Sequence, residues 1–424
     1  MRLNKVSKNI AWILACRIAQ AFCALIINAL TARYFGPSNY GLISYAASLV
    51  AFVTPLMRLG TSDIIVGELI SQPKQEGTVL GTSIVLTMGT SLLCILGLMA
   101  FVSIADRGDS VTIITVFLYS LLLFSQSLEL IQYWFHAKYL SKIVSLATLG
   151  VYFLISSYKV ILLMTGKSIY WFAASNALDH LLIAVVLLVV HKRRKAQPLG
   201  FSWSVLRHIW RKGRLYVLPE MMGLVLQQSD RIMLRFSCGN DEVGLYAAAL
   251  AVSTMSSFVF SAIIGSFQPL ILESKLQDNR KYERNMAKLY GVITYLAILQ
   301  CAVIMLFGKY IMWILYGEDY LPAVPMLRIV IFYTVFSYLG AVRSVWILAE
   351  GKQRFLWIIS LSGMILNVLL NLVLIHFYDG EGAAMATLIT QIFTNIIIVA
   401  VIKPLRANLK FLWNGLAVKK WLKE

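Results

Sequence analysis

Charge is scarce in this sequence, and acid is scarcer than base: Asp, Glu, Lys and Arg make up 14% of 424 residues, with 20 acidic against 38 basic. No stretch is polar enough over a domain's length to fold alone in water. That excludes a soluble catalytic domain and a soluble basic domain of the kind that binds nucleic acid, so the formal charge of +18 must find another explanation. Cysteine is rare as well. Cys16, Cys23, Cys94, Cys238 and Cys301 fall inside or at the edge of apolar runs without metal-ligand spacing, and they read as packing residues. There is no metal-spaced His or Cys cluster and no glycine loop to cradle phosphate, so no metal, no cofactor and no ATP hydrolysis by this chain is expected. Strand-like alternation is missing too, as in the unbroken runs from Leu181 to Val190 and from Ile396 to Ile402, which disfavours a barrel.

What the chain has is apolar length. Hydrophobic residues are 59% of the sequence and mean hydropathy is +0.75, the composition of a polytopic membrane protein. A bilayer core needs about 20 apolar residues per helix, and lipid leaves a lone backbone no way to satisfy its polar groups other than a helix. Twelve spans are expected, at 10–32, 41–66, 79–104, 111–135, 143–164, 169–190, 215–238, 244–272, 286–307, 322–348, 355–377 and 382–402. No small-residue cleavage pattern follows the first run, which therefore stays as a helix. With both termini placed in the cytoplasm, the connections on that side hold 27 Lys and Arg, against only Arg33, Arg107, Lys167 and Lys309 on the other. The asymmetry explains most of the net charge.

The fold class that follows is an all-α polytopic membrane protein, with about twelve helices in two pseudo-symmetric six-helix bundles around a central cavity. Residues 191–214, rich in Lys and Arg, divide the helices six and six, giving bundles at 1–190 and 215–402 and a basic tail at 403–424. A shift of 203 positions lays Gly36, Gly41, Leu42 and Ala46 on Gly239, Gly244, Leu245 and Ala249. A shift of 214 lays Lys138 on Lys352 and Gly166 on Gly380. In 201–216, Phe201, Trp203, Leu206, Ile209 and Trp210 alternate with Arg207, Arg211, Lys212 and Arg214; this segment and the tail read as amphipathic helices on anionic lipid.

Seven basic residues remain inside apolar spans: Arg17, Arg58, Lys159, Arg231, Arg235, Arg328 and Arg343. Each costs about 2.5–3.5 kcal/mol at a helix centre, so each needs a partner, water or an interface. Arg235 and Arg328 are near enough to helix ends to snorkel. Arg17, Lys159 and Arg343, with Arg58 and Arg231 at intermediate depth, are the candidate cavity cations, suited to phosphate by charge-assisted hydrogen bonds. Among the acids Asp63, Glu129, Asp179, Glu220 and Asp230, the expected ion-coupling residues are Glu129, Asp179 and Glu220. The shifts put Arg17 on Glu220 and Glu129 on Arg343, opposite charges at equivalent positions, open to a functional or a purely structural pairing. Gln20, Asn28, Gln132, Asn176, Gln227, Gln228 and Asn367 are the amides available to a sugar or to neighbouring helices.

The stretch TARYFGPSNYGLISYA at Thr31 to Ala46 and RLGTSDIIVGEL at Arg58 to Leu69 resemble the N-terminal signature of the polysaccharide transporter family, within the multidrug, oligosaccharidyl-lipid and polysaccharide exporter superfamily. Further on, SDRIMLRFSCGNDEVGLYAAA at Ser229 to Ala249, LAEGK at Leu348 to Lys352, NVLLNLVLI at Asn367 to Ile375 and GEGAAMATLITQ at Gly380 to Gln391 agree in order. The resemblance implies a Wzx-type flippase of the bacterial inner membrane, moving undecaprenyl-diphosphate-linked oligosaccharide, an O-antigen unit or similar, to the periplasmic leaflet, not an enzyme. It implies cavity cations for the diphosphate, ion antiport as the drive, membrane lipids as surroundings and polysaccharide polymerase machinery as a neighbour. Glu220 opposite Arg17 departs from an all-positive cavity. Two other readings compete: an exporter of drug-like cations, which wants an acid-dominated cavity, and a membrane polymerase or glycosyltransferase, which wants a large external loop this chain lacks.

Overall fold

The computed structural model describes residues 2–417, with side chains for residues 20, 21 and 23–417; the candidate cation Arg17 lies outside the described side chains. Among the described residues there are helices and no strand: α1 (Arg2–Arg58), α2 (Thr61–Ser71), α3 (Glu76–Ala105), α4 (Ser110–Glu129), α5 (Gln132–Ala137), α6 (Ser141–Met164), α7 (Ile169–Arg193), α8 (Trp203–Cys238), α9 (Asn240–Thr254), α10 (Ser257–Gln277), α11 (Asn279–Tyr316), α12 (Val324–Ala349), α13 (Arg354–Ile392), α14 (Ile398–Val401) and α15 (Ala407–Leu416).

Two of these hold two crossings each. Inside α1 the chain breaks at Gly36, φ 71° and ψ 173°, and inside α13 at Asp379, φ 45° and ψ −127°. With α8 counted, the crossings among the described residues number twelve; its charges Glu220, Asp230, Arg231 and Arg235 make it the least apolar of them. Gly36 and Gly239, paired by the 203-residue shift, share one conformation, Gly239 having φ 89° and ψ −173°. Positive φ with an extended ψ is open to glycine and strained for other residues, so the duplicated turn requires glycine in both halves.

Three expected spans are interrupted. The second ends at Arg58 because Leu59 and Gly60 both turn left-handed, and α2 follows as a separate short helix. The fourth breaks after Glu129 and resumes as α5, and the eighth breaks between α9 and α10. Local capping fixes other ends. Asp109 accepts from the backbone N–H groups of Val111 and Thr112, and Asp278 from those of Arg280 and Lys281, so α4 and α11 begin where a carboxylate meets unpaired donors.

The chain forms two compact units, residues 1–35 with 39–228 and residues 36–38 with 229–424. In the first, Trp134 and Phe135 of α5 pack with Ile65, Leu69, Leu80 and Leu187. The segment before α8 is fastened to the same unit: Gly200 N–H donates to Gly77 O at 3.1 Å, Ser202 N–H to Thr82 Oγ1 at 3.0 Å and the Gln197 amide to Pro73 O at 3.1 Å. In the second unit, Tyr282, Tyr290, Tyr338 and Trp346 form the core with Phe411 of α15, whose Asn408 accepts from the Tyr290 hydroxyl at 2.8 Å.

Candidate functional site

Lipid-spanning helices bury polar groups mostly where those groups find partners, and each unit encloses a polar cluster built on a carboxylate. In the first unit, α7 presents Asn176, Asp179 and His180 at i, i+3 and i+4, one face of the helix. Facing them are Glu129 at the end of α4 and Lys159 of α6. Glu129 Oε2 lies 2.5 Å from His180 Nδ1, and the Gln132 amide reaches Glu129 Oε1 at 3.5 Å. Lys159 Nζ donates to Asn176 Oδ1 at 3.0 Å, and Asn176 Nδ2 in turn to Phe172 O at 3.1 Å. Asp179 is within electrostatic reach of Lys159, His180 and Glu129, and its Oδ1 is buried without a hydrogen bond. Five of the residues singled out by sequence, the charged Glu129, Lys159 and Asp179 and the amides Gln132 and Asn176, therefore share one cluster. Elsewhere in the unit, Glu220 is in electrostatic reach of Arg58 and Asp63.

The second unit encloses a carboxylate completely. Asp230 of α8 is 3% exposed. Its Oδ2 accepts from the Thr387 hydroxyl at 2.5 Å and the Tyr246 hydroxyl at 2.7 Å, and its Oδ1 from Asn371 Nδ2 at 2.6 Å. Asn371 Nδ2 also reaches Asn367 Oδ1 at 3.1 Å, which the Ser229 hydroxyl meets at 2.8 Å. Two atoms are left over: Asn371 Oδ1 and Asn367 Nδ2 are buried with no partner. A carboxylate held by two hydroxyl donors and an amide N–H, with an amide oxygen left unused beside it, offers oxygen atoms to a proton or a hard cation once the hydroxyls turn.

Arg343, 8% exposed on α12, donates through Nη1 to Thr394 O at 2.5 Å. Thr394 belongs to the π-helical segment Phe393–Ile397, whose widened turn frees carbonyls for such a donor. Arg231 adjoins the Asp230 network along α8.

Connections rich in Lys and Arg carry their own pairs. Glu68 takes Lys212 Nζ at 2.7 Å and His208 Nε2 at 3.1 Å, and Glu76 takes Lys138 at 2.7 Å. Glu350 takes Lys275 at 2.5 Å and the Tyr282 hydroxyl at 2.9 Å, with Lys352 at 4.0 Å. Burial pushes the Glu350 carboxyl up, but the bonds from Lys275 and Tyr282 and the two nearby ammonium charges outweigh it and hold the group below its ordinary value.

His180 and the partners Tyr246, Asn371 and Thr387 were not apparent as a set. The available signals were a histidine beside Asp179 in an apolar run and the one-turn spacing of Asn367 and Asn371; Tyr246 and Thr387 come from distant helices and carry no local mark.

Comparison with known proteins places this geometry. Residues 30–325 match the family described as Polysaccharide biosynthesis protein. The capsular polysaccharide biosynthesis protein CapF of Staphylococcus aureus is 22% identical over 396 residues, 91% of this chain and 96% of that protein. Among solved structures, the lipid II flippase MurJ in an inward closed conformation aligns with a TM-score of 0.63 at 14% identity, covering 96% of this chain and 91% of that one. An inward-facing multidrug resistance MATE family transporter of the MOP superfamily aligns at 0.61 and 14%, covering 94% and 95%. At these identities the likeness shows a shared fold, that of multi-pass helical transporters.

Proposed function

Because this chain belongs to the polysaccharide biosynthesis protein family, we propose that it is a flippase for undecaprenyl-diphosphate-linked oligosaccharide, working by alternating access in the bacterial inner membrane with both termini cytoplasmic. The observation that carries the reading is the enclosed Asp230 network, a titratable carboxylate held by groups from three helices in the interior of a member of this family. A proton or monovalent cation entering at Asp230 would take the place of the hydroxyl donors or use the free Asn371 oxygen. Either event rearranges the links between α8, α9 and the two limbs of α13 at once, which is what a coupling site must do.

The diphosphate falls to the cations. Lys159 has one amide partner and two ammonium hydrogens to offer, and Asp179 beside it keeps the site from being permanently positive. Arg17, Arg58, Arg231 and Arg343 are the further candidates, Arg343 with one guanidinium hydrogen already directed to Thr394 O. Glu129, Asp179 and Glu220 remain candidates for carrying coupled protons, with Asp230 now added to them. Polysaccharide polymerase would act on the product downstream.

Deletion and complementation in the native host tests the reading. Completed lipid-linked oligosaccharide trapped in the cytoplasmic leaflet, and restored export with the intact gene, is the expected result. Normal translocation with unpolymerised units outside would assign the chain a polymerase or later role instead.

A further inference from the structure

Residues 203–214 at the start of α8 have two faces of different character. One face docks on the first unit. Ile209 is 2% exposed, and Gly213 lies so close to Leu59 and Gly60 that a Cβ on Gly213 would come within 2.1 Å of Leu59 O, and one on Gly60 within 2.2 Å of Gly213 O. His208 and Lys212 flank this contact and both close on Glu68. The other face carries Trp203, Arg207, Trp210, Arg211 and Arg214, spaced four, three, one and three residues apart, one stripe of a helix. Trp203 is 75% and Trp210 45% exposed, the three arginines are exposed, and none of the three has a hydrogen bond or ion pair among the described residues. The sequence alone places the whole segment 201–216 on anionic lipid without choosing among its residues; the geometry separates Lys212 and His208, engaged by Glu68, from three arginines with no such partner among the described residues.

We propose that the stripe Trp203, Arg207, Trp210, Arg211 and Arg214 is a docking site for the phosphate headgroups of anionic phospholipid in the leaflet on the chain's basic side. Three observations select this occupant. Unpartnered guanidinium groups match phosphate oxygens in charge and geometry. Tryptophan beside them is the residue that seats at the headgroup level. Immediately after Arg214 the exposed surface turns apolar, with Leu215 at 72%, Tyr216 at 47% and Leu218 at 61%, so the same helix passes from headgroup chemistry to hydrocarbon within a turn. A protein partner would have to cover that apolar surface too, whereas a bilayer does so by its own layering. The tail helix α15 is a poorer candidate: its Lys410 lies 3.9 Å from Glu283, and Arg406 donates to Ala400 O.

The test is the lipid retained by the full-length protein in native mass spectrometry, after equilibration in mixed micelles of phosphatidylglycerol and phosphatidylcholine. Wild type is expected to retain phosphatidylglycerol preferentially, and R207Q/R211Q/R214Q to lose that preference; a basic residue near an anionic surface contributes about 1 kcal/mol, so three set an upper limit on the order of 100-fold. K212Q should keep the preference, since Lys212 is held by Glu68, and R207K/R211K/R214K should keep most of it. In unaltered protein the preference should collapse on raising salt from about 50 to about 500 mM, which tests the idea even if the triple variant does not fold. No preference in wild type, a preference that survives the triple Gln change, or one indifferent to salt would overturn the proposal. Because lipid retention is read without transport, its failure leaves the flippase reading standing, and failure of that reading leaves this one.

Discussion

Replacing Asp230 by Asn separates structural from functional roles. The carboxylate accepts three hydrogen bonds at 2.5–2.7 Å. Bonds to a charged group contribute about 1.5–3 kcal/mol each, so their loss looks severe. Two features reduce it. If the new amide N–H2 takes the place of Oδ2, the Tyr246 and Thr387 hydroxyls can turn and accept, since a hydroxyl both donates and accepts, while the amide oxygen still receives Asn371. To the extent that Asp230 is ionised, the variant also no longer buries a charge, which in a protein interior returns several kcal/mol. The terms cancel to within about 2 kcal/mol, and Asp230→Asn should therefore fold and melt close to wild type in detergent. Ion-driven translocation in proteoliposomes should be lost, because an amide neither titrates nor neutralises a cation. Translocation that follows an imposed proton or sodium gradient as wild type does would refute the coupling role. A melting loss equivalent to more than about 4 kcal/mol would show instead that the charge holds the bundle together.

Lys159→Ala should abolish surface polysaccharide at unchanged membrane protein level, and unaltered polysaccharide would remove Lys159 from the diphosphate site. Gly213→Ala forces a Cβ onto Leu59 O, with an overpacking cost of about 1–3 kcal/mol, and should raise proteolytic cleavage in residues 194–202; unchanged cleavage would mean the helix does not dock there. Glu350 has a folded value below its unfolded one, so its contribution is present above the ordinary carboxylate range and fades as pH falls through the depressed value. Glu350→Gln should melt earlier than wild type by about 1 kcal/mol near neutrality, with the gap closing in acid below that range, and a gap independent of pH would contradict the ion-pair origin.

The membrane-spanning helices were legible because they follow from a one-dimensional quantity, apolar length. The duplicated turn was legible for a similar reason, since Gly36 and Gly239 are demanded by backbone conformation and leave a visible mark. The polar clusters were only half legible. A charge in an apolar run announces itself, which is how Glu129, Lys159 and Asp179 were found, but its partner need not. Glu129 meets His180 across 51 residues and Asp230 meets Thr387 across 157, distances that no local period encodes. The break at Asp379 falls in the connection expected between the last two spans, whereas the break at Leu59, inside the second span, was missed because leucine does not prefer a positive φ; tertiary packing imposes it.

The pseudo-symmetry says what kind of difference the halves have acquired. The 214-residue shift that relates Glu129 to Arg343 also relates His180 to Thr394, and in the structure Glu129 bonds His180 while Arg343 bonds the Thr394 carbonyl. One helix-to-helix link is thus kept in both bundles with its charge inverted. A link preserved in place while its chemistry is exchanged behaves as a structural strut, which ranks Glu129 and Arg343 below Lys159 and Asp230 among the proposed functional residues. The charged groups of the two clusters show the opposite pattern. By the same shifts Asp230 falls on Ile27, and Lys159 and Asp179 fall on Val373 and Phe393; of their partners, Tyr246, Asn367 and Thr387 fall on Ile43, Phe153 and Ala173, whereas Asn371 and Asn176 fall on the polar Ser157 and Thr390. Each of these three charges sits where the other bundle is apolar, so none is a remnant of a duplicated core. Holding polar groups in an apolar interior on one side only is hard to explain by packing, which treats the two bundles alike. It is the arrangement that the proposed function calls for, in which Lys159 of the first bundle would meet an anionic substrate and Asp230 of the second a cation.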